Sequence, residues 1–174
     1  MNVFRTIFPA PAIILASLVS MPLIAAAQSP GTILHAPEAA KLLPDSVYYA
    51  GKSASTQLRN SAGIRFSDDH YVLAVLVDTS GYSSAVQEKY QGYLLTEVPL
   101  EFSDHSLPAG AYGVGFVGDH FVVTDIGTHE IFQTHATRDD HMQRPLPLQI
   151  LESATPGMDR LCLGRTCVDF GRAK

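Results

Sequence analysis

The amino-acid sequence predicts an all-β protein, mainly antiparallel and arranged as a sandwich, with a small closed barrel as the alternative. Three observations carry that expectation. Runs rich in valine, isoleucine, tyrosine and phenylalanine alternate with a period of two, as on a pleated strand. Clusters of glycine, proline, serine and aspartate break those runs at intervals of about 8–12 residues. No long helical stretch lies between them, so a doubly wound parallel sheet fits poorly.

The clearest stretch is 107–125, LPAGAYGVGFVGDHFVVTD. Pro108 and Gly110 form a turn, a strand runs from Ala111 to Val117, and Gly118-Asp119 turn the chain back. Phe121 and Val123 then share one face while Val122 and Thr124 share the other. The rest of the chain repeats this pattern.

The chain begins with a single basic residue, Arg5, followed by an apolar run containing Ile13, Ile14, Leu15, Leu18 and Val19, and then Ala25-Ala26-Ala27. That order is the pattern of a secretory signal over residues 1–27, cleaved after Ala27. Pro9, Pro11 and Pro22 interrupt the run, which is short of the roughly 20 residues a bilayer span needs. No membrane span is therefore expected after cleavage, and the destination is periplasmic or extracellular. Residues 28–174 contain 11 basic and 17 acidic residues, a net charge of −6. Such a chain has no basic footprint for nucleic acid or anionic lipid.

Residues 28–45 combine Pro30, Gly31, Pro37 and Pro44 with the alanine-rich piece 37–43, and read as a flexible N-terminal arm. Residues 46–174 then form a single β domain. Val47-Tyr48-Tyr49 begins it as a short strand. Gln57-Leu58-Arg59 and Ile64-Arg65-Phe66 read as two strands either side of a turn at 60–63. The run 71–77, YVLAVLV, is apolar on both faces, the mark of a central strand covered on both sides. A polar turn at 78–84 leads into one short helix near 84–91, capped by Ser84, with Val86 and Tyr90 on one face. Residues 93–102 return to strand, broken by Pro99, which offers no ladder donor. After the central hairpin, 130–133 resumes a strand, 136–143 is a polar loop, and 146–151 is a further strand.

Cys162 and Cys167 flank Leu163-Gly164-Arg165-Thr166. With Gly164-Arg165 as the centre of a type II′ turn, the two cysteines face each other at disulfide distance, and an exported chain meets an oxidising compartment. The spacing is not C-x-x-C, so a structural staple is the reading preferred over a redox pair.

Two constellations are candidates for chemistry. His129, His135 and His141, interspersed with Asp125, Glu130, Asp139 and Asp140, offer ligands for a divalent metal, although their spacing matches no motif that fixes ligands on one surface. Tyr82, Tyr90, Tyr93 and Tyr112 offer stacking faces for a ligand such as a glycan, against the simpler expectation that strand tyrosines pack in a core. Ser83 follows Gly81 but lacks the second glycine of a nucleophile elbow, and Gly113-Val114-Gly115 lacks the helix of a phosphate cradle.

At L-P-A-G-A-Y, residues 107–112, the chain resembles small exported bacterial all-β proteins of unknown function in which such a turn introduces a core strand. The resemblance spans residues 93–125 and implies a secreted or periplasmic β domain, with no catalytic residue carried over. The expected function is a non-enzymatic module without a cofactor that binds a ligand or an envelope protein. The alternatives are a metal-assisted hydrolase using the three histidines and a structural envelope component.

Overall fold

The computed structural model describes residues 31–173. The signal expected over 1–27 lies outside the described residues, as do the first three positions of the expected arm.

Two antiparallel sheets pack face to face as a sandwich, and no closed barrel forms. The larger sheet contains β1 (Thr32–Leu34), β2 (Ser46–Tyr49), β3 (Lys52–Arg65), β4 (Tyr71–Val77), β5 (Gly92–Thr96), β8 (Gly110–Val117), β9 (His120–Thr124) and β10 (Glu130–His135). The smaller contains β6 (Leu100–Phe102), β7 (His105–Leu107), β11 (Thr137–Arg138), β12 (Gln149–Glu152), β13 (Asp159–Leu163) and β14 (Thr166–Arg172). Strand order is β1-β3-β4-β5-β8-β9-β10 in the first, with β2 also on β3, and β12-β13-β14-β6-β7 in the second. The helices are α1 (Ala36–Ala39) and α2 (Ser84–Lys89).

Alternation sorts the side chains as expected. Val72 and Ala74 of β4, Leu94 of β5, Val114 of β8 and Phe121 and Val123 of β9 point inward. They meet Leu100, Phe102, Ile150, Leu161, Val168 and Phe170 of the smaller sheet in one core. Leu73, Val75 and Val77 of β4 point the other way and are also buried, so β4 is covered on both faces.

Four expectations need correction. Residues 28–45 are not a free arm over their described part. Thr32, Ile33 and Leu34 pair with Arg65, Ile64 and Gly63, while Ala39 at the end of α1 and Leu43, beyond the turn that follows it, pack with Leu73 and Val75. The proline and alanine content masked a segment that supplies the outer lid β4 requires. The turn placed at 60–63 is not a hairpin either: β3 runs through it, and Thr56, Gln57, Ser61 and Ala62 all pair with β4, with a register shift between Gln57 and Ser61. Asn60 Nδ2 donates to Gln57 Oε1 at 2.9 Å and Ser61 Oγ to Leu58 O at 2.6 Å, so local side-chain bonds stabilise a bulge where a turn was expected. Finally, the polar stretch 136–143 contributes β11, and the short helix starts at Ser84, making Ser83 its cap position.

The final hairpin forms as predicted, with Cys162 opposite Cys167 and Leu163 opposite Thr166. The cysteines are joined by a disulfide, Cα atoms 4.1 Å apart, and both are fully buried. Gly164 has φ +59°, the left-handed value that the first position of its turn demands.

One position opposes the fold's charge balance. Asp159 lies opposite Glu152 on β12 and Phe170 on β14, on the core side of the small sheet at its rim. Burial, helped by the Glu152 carboxylate, pushes the Asp159 carboxyl up to about 6 from 3.8. A raised carboxyl favours the folded state in its protonated form, so its contribution is complete below about 3.8 and is lost as the pH rises through 6. Asp159→Asn should therefore stabilise the protein at pH 7 by about 1–2 kcal/mol, allowing for partial exposure, and the gain should vanish by pH 4. Urea unfolding of both proteins at the two pH values measures it. A gain equal at both would place its origin outside titration.

Candidate functional site

The tyrosines do not line one concavity. Tyr93 stands opposite Gly113 and Tyr112 opposite Leu94, so alternation places Tyr93 on the outer face of the large sheet and Tyr112 on its inner face. Tyr112 packs at the border of the inner core and donates its hydroxyl to Pro108 O at 2.9 Å. Tyr82 and Tyr90 do come together on the outer face, but around Tyr49. Tyr49 and Tyr90 stack with ring centroids 3.6 Å apart, and Tyr82 stands edge-on to both. The sequence placed Tyr49 in a strand without marking it as their partner, because the contact depends on β2 folding back over β8.

This cluster is interior packing. Tyr90 is fully buried and Tyr49 nearly so. The Tyr49 hydroxyl bonds Thr124 Oγ1 at 2.7 Å, and Tyr82 donates to Tyr49 O at 3.0 Å. Burial pushes the Tyr90 hydroxyl far above its usual pKa, and this hydroxyl has no hydrogen-bond partner among the described residues. Tyr90→Phe removes a desolvated group that gives nothing back, so stability should hold or rise by about 1 kcal/mol. A thermal melt in which the variant loses that much would show that the hydroxyl is bonded after all.

The histidines are also dispersed. His129 and His135 bracket β10, about 20 Å apart at the rise of an extended strand. His129 Nδ1 lies 3.0 Å from Asp125 Oδ2 in its own tight loop, where the same carboxylate accepts the Gly127 and His129 amides. Those bonds hold the Asp125 carboxyl below its usual range. His141 is exposed in the loop after β11, its amide donating to Asp139 Oδ1 at 3.0 Å. Among the described residues no group of three histidine, cysteine, aspartate or glutamate side chains is arranged to hold a metal. The proposed trio is thus not brought together, because strand geometry separates what a loop would have allowed to converge.

The structure places a groove elsewhere, of about 330 Å³, between the start of α1 (His35 to Pro37), the β3 bulge (Arg59 to Ala62) and the edge segment Leu146 to Ile150. Each wall is held by identifiable bonds. The His35 amide donates to Glu38 Oε2 at 3.1 Å, closing α1, and Ser61 Oγ anchors the bulge. The Gly164 amide donates to Leu146 O at 3.1 Å, so the cysteine hairpin supports the third wall, where Gln149 stands opposite Cys162. Arg165 fixes the preceding loop by donating to the carbonyls of Asp139, Asp140 and Met142, the last at 2.7 Å.

The groove's chemistry is mixed. Ala36, Pro37, Leu146, Pro147 and Ile150 make it apolar, and Leu146 is 51% exposed. Arg59 stands on its rim, exposed and in no ion pair among the described residues. β12 ends its sheet, so one edge of that strand lacks a ladder partner among the described residues. None of these residues was singled out from sequence, since the groove exists only because an unforeseen bulge meets a segment expected to be free. The nearest signal was the Asn-Ser-Ala-Gly sequence at 60–63, read there as a turn.

No helix among the described residues is long and apolar enough to cross a membrane. No known protein family, curated protein or solved structure matches this chain.

Proposed function

We propose that the chain is an exported, non-catalytic module that holds an extended segment of an envelope partner in the groove between α1, the β3 bulge and residues 146–150. The leader pattern over 1–27 and the buried disulfide support export. The observation that carries the binding reading is the groove itself: apolar walls beside the open edge of β12, with Arg59 uncommitted at the rim. A volume of about 330 Å³ accommodates a side chain or two, and an open strand edge offers main-chain hydrogen bonds to an extended segment. On a protein of net negative charge, an unpaired guanidinium selects a carboxylate. The occupant is therefore a partner segment with an apolar side chain next to an acidic residue or a free C-terminus.

The test is selection from a displayed library of linear peptides. Selected sequences should pair an apolar residue with a carboxylate, and Arg59→Glu and Leu146→Asp should each weaken their binding about tenfold, roughly 1.4 kcal/mol. Peptides that bind both variants as well as the parent protein would remove the groove from consideration. A hydrolytic turnover abolished by one substitution within 78–84 or 129–141 would overturn the non-catalytic reading.

A further inference from the structure

Strand β14 is paired along one edge with β13 from Thr166 to Phe170, but along its other edge only toward the ends: Thr166 and Cys167 face β11, and Gly171 and Arg172 face β6. Asp169 lies in the gap. The Cα atoms of Cys162 and Cys167 are 4.1 Å apart, the close spacing of a pair that exchanges no hydrogen bonds, so the Cys167 N–H and C=O face away from β13 toward β11. Two residues on, those of Asp169 face the same way, and no ladder or turn bond meets them among the described residues. Continuing the β11 register would set His135 opposite Asp169, and continuing the β6 register would set Ser103 there. Neither arrives: His135 pairs with His120 in the large sheet, and Ser103, at φ +53°, turns the chain from β6 into β7. What is left is a cavity of about 250 Å³, lined by Ser103, Thr134, His135, Thr137, Met158 and the stretch 167–169.

We propose that this gap in the small sheet is a slot for a primary carboxamide, the head group of an asparagine or glutamine side chain entering end-on from a partner. The open main chain of Asp169 presents one donor and one acceptor on the same edge, and a primary carboxamide returns an acceptor and a donor. The window is one residue wide, because Phe102 of β6 and the connection from β10 to β11 close it on either side. The tip of a side chain fits where a through-running strand does not. Charge points the same way. The Asp169 carboxylate is already spent on Arg160 Nε at 2.6 Å and Ser153 Oγ at 3.0 Å, and the remaining polar lining is two threonines, a serine and an imidazole beside Met158 and Val168. Such a lining selects neither a cation nor an anion but a neutral group that donates and accepts together. At roughly 30 Å³ for each water, the space is several times what one bridging water fills. The slot is separate from the groove at 146–150 and does not rest on it.

The probe is N-acetylglutamine N′-methylamide, titrated into the protein and followed by amide-resolved nuclear magnetic resonance. Saturable shifts are expected, largest at the Asp169 amide and its neighbours Ser103 and Thr137. The glutamate counterpart lacks the donor and adds a charge, so it should bind about tenfold more weakly, and the alanine counterpart should not compete. Hydrogen exchange gives an independent reading: without the probe, the Asp169 amide should exchange faster than those of Val168 and Phe170, which bond to β13. Thr137→Trp, at an exposed position, and Ser103→Asn, which keeps a residue type tolerant of a left-handed φ, both crowd the slot and should each weaken binding about tenfold. Circular dichroism confirms that each variant is folded. The proposal is overturned if the glutamine compound gives no saturable shift, if its shifts centre on 146–150, if the glutamate or alanine compound binds equally, if both variants bind as the parent does, or if the Asp169 amide is as protected as its neighbours.

Discussion

Gly113→Ala should destabilise the protein by about 2–4 kcal/mol, an effect at the upper end of what one methyl group produces. A Cβ at this position would stand 2.4 Å from Tyr49 Cε2 and 2.7 Å from Thr124 Oγ1. Contacts that short require something to move. The Tyr49 ring cannot retreat, because Tyr90 is stacked on it at 3.6 Å and its hydroxyl is bonded to Thr124. Thr124 Oγ1 is equally committed, donating to Gly113 O at 3.1 Å. The added methyl therefore expels a nearly fully buried tyrosine or bends a central strand. Gly81→Ala is the control: nothing lies within 4 Å of its Cβ, and it should cost less than about 0.5 kcal/mol. Chemical denaturation of the two variants measures both. A Gly113→Ala protein as stable as Gly81→Ala would mean that Tyr49 does not rest on β8. A double-mutant cycle with Tyr49→Ala adds a second check, since removing the ring should recover most of the loss.

The same residue shows where the sequence was legible. Gly113 and Gly115 read from the sequence as strand glycines rather than a phosphate cradle, and both lie in β8. What they admit was hidden: the Tyr49 ring over Gly113, and over Gly115 the end of α2, whose Lys89 O lies 2.6 Å from a would-be Cβ. Alternation is a local property, so inward and outward faces could be read along each strand, and the disulfide pairing followed from turn chemistry over six residues. Contacts between distant segments have no such local signature. The apolar character of both faces of β4 announced that an outer cover must exist, yet nothing in 28–45 distinguished a docked lid from a loose arm. Ala39 and Leu43 were too few apolar positions to reveal a buried face.

The candidate site failed to emerge for a related reason. Histidines and tyrosines attract notice by residue type, but type does not determine side of sheet or end of strand. Tyr112 and Tyr93 are separated by a sheet, and His129 and His135 by the length of β10. The pair that strand register does bring together, His120 and His135, is 15 residues apart in sequence and becomes visible only once β9 and β10 are aligned. The groove needs still more, a bulge in β3 and an edge of the other sheet, and bulges carry weak sequence signals when their side chains bond locally.

Phe102→Ala should cost about 3–5 kcal/mol, the largest loss expected from a single core truncation here. Phe102 is 1% exposed and its ring meets three others: Phe121 at 5.5 Å, Phe132 at 5.6 Å and Phe170 at 5.6 Å between centroids. Phe121 and Phe132 belong to the large sheet and Phe170 to the small one, so truncation removes aromatic packing from both layers at once. The position is also where the chain changes sheets: β5 ends at Thr96, Pro99 prevents the ladder from continuing, and β6 joins β14 and β7. Phe102→Leu retains most of the volume and should recover about half of the loss. The chain contains no tryptophan, so fluorescence reports its seven tyrosines, on both faces of the large sheet, while far-ultraviolet circular dichroism reports the sheets. If Phe102 couples the layers, both probes should shift to lower urea together in the alanine variant, with coincident midpoints. A loss below 1 kcal/mol would contradict the four-ring core, and separated midpoints would show that the tyrosine environments and the sheets do not unfold in one step.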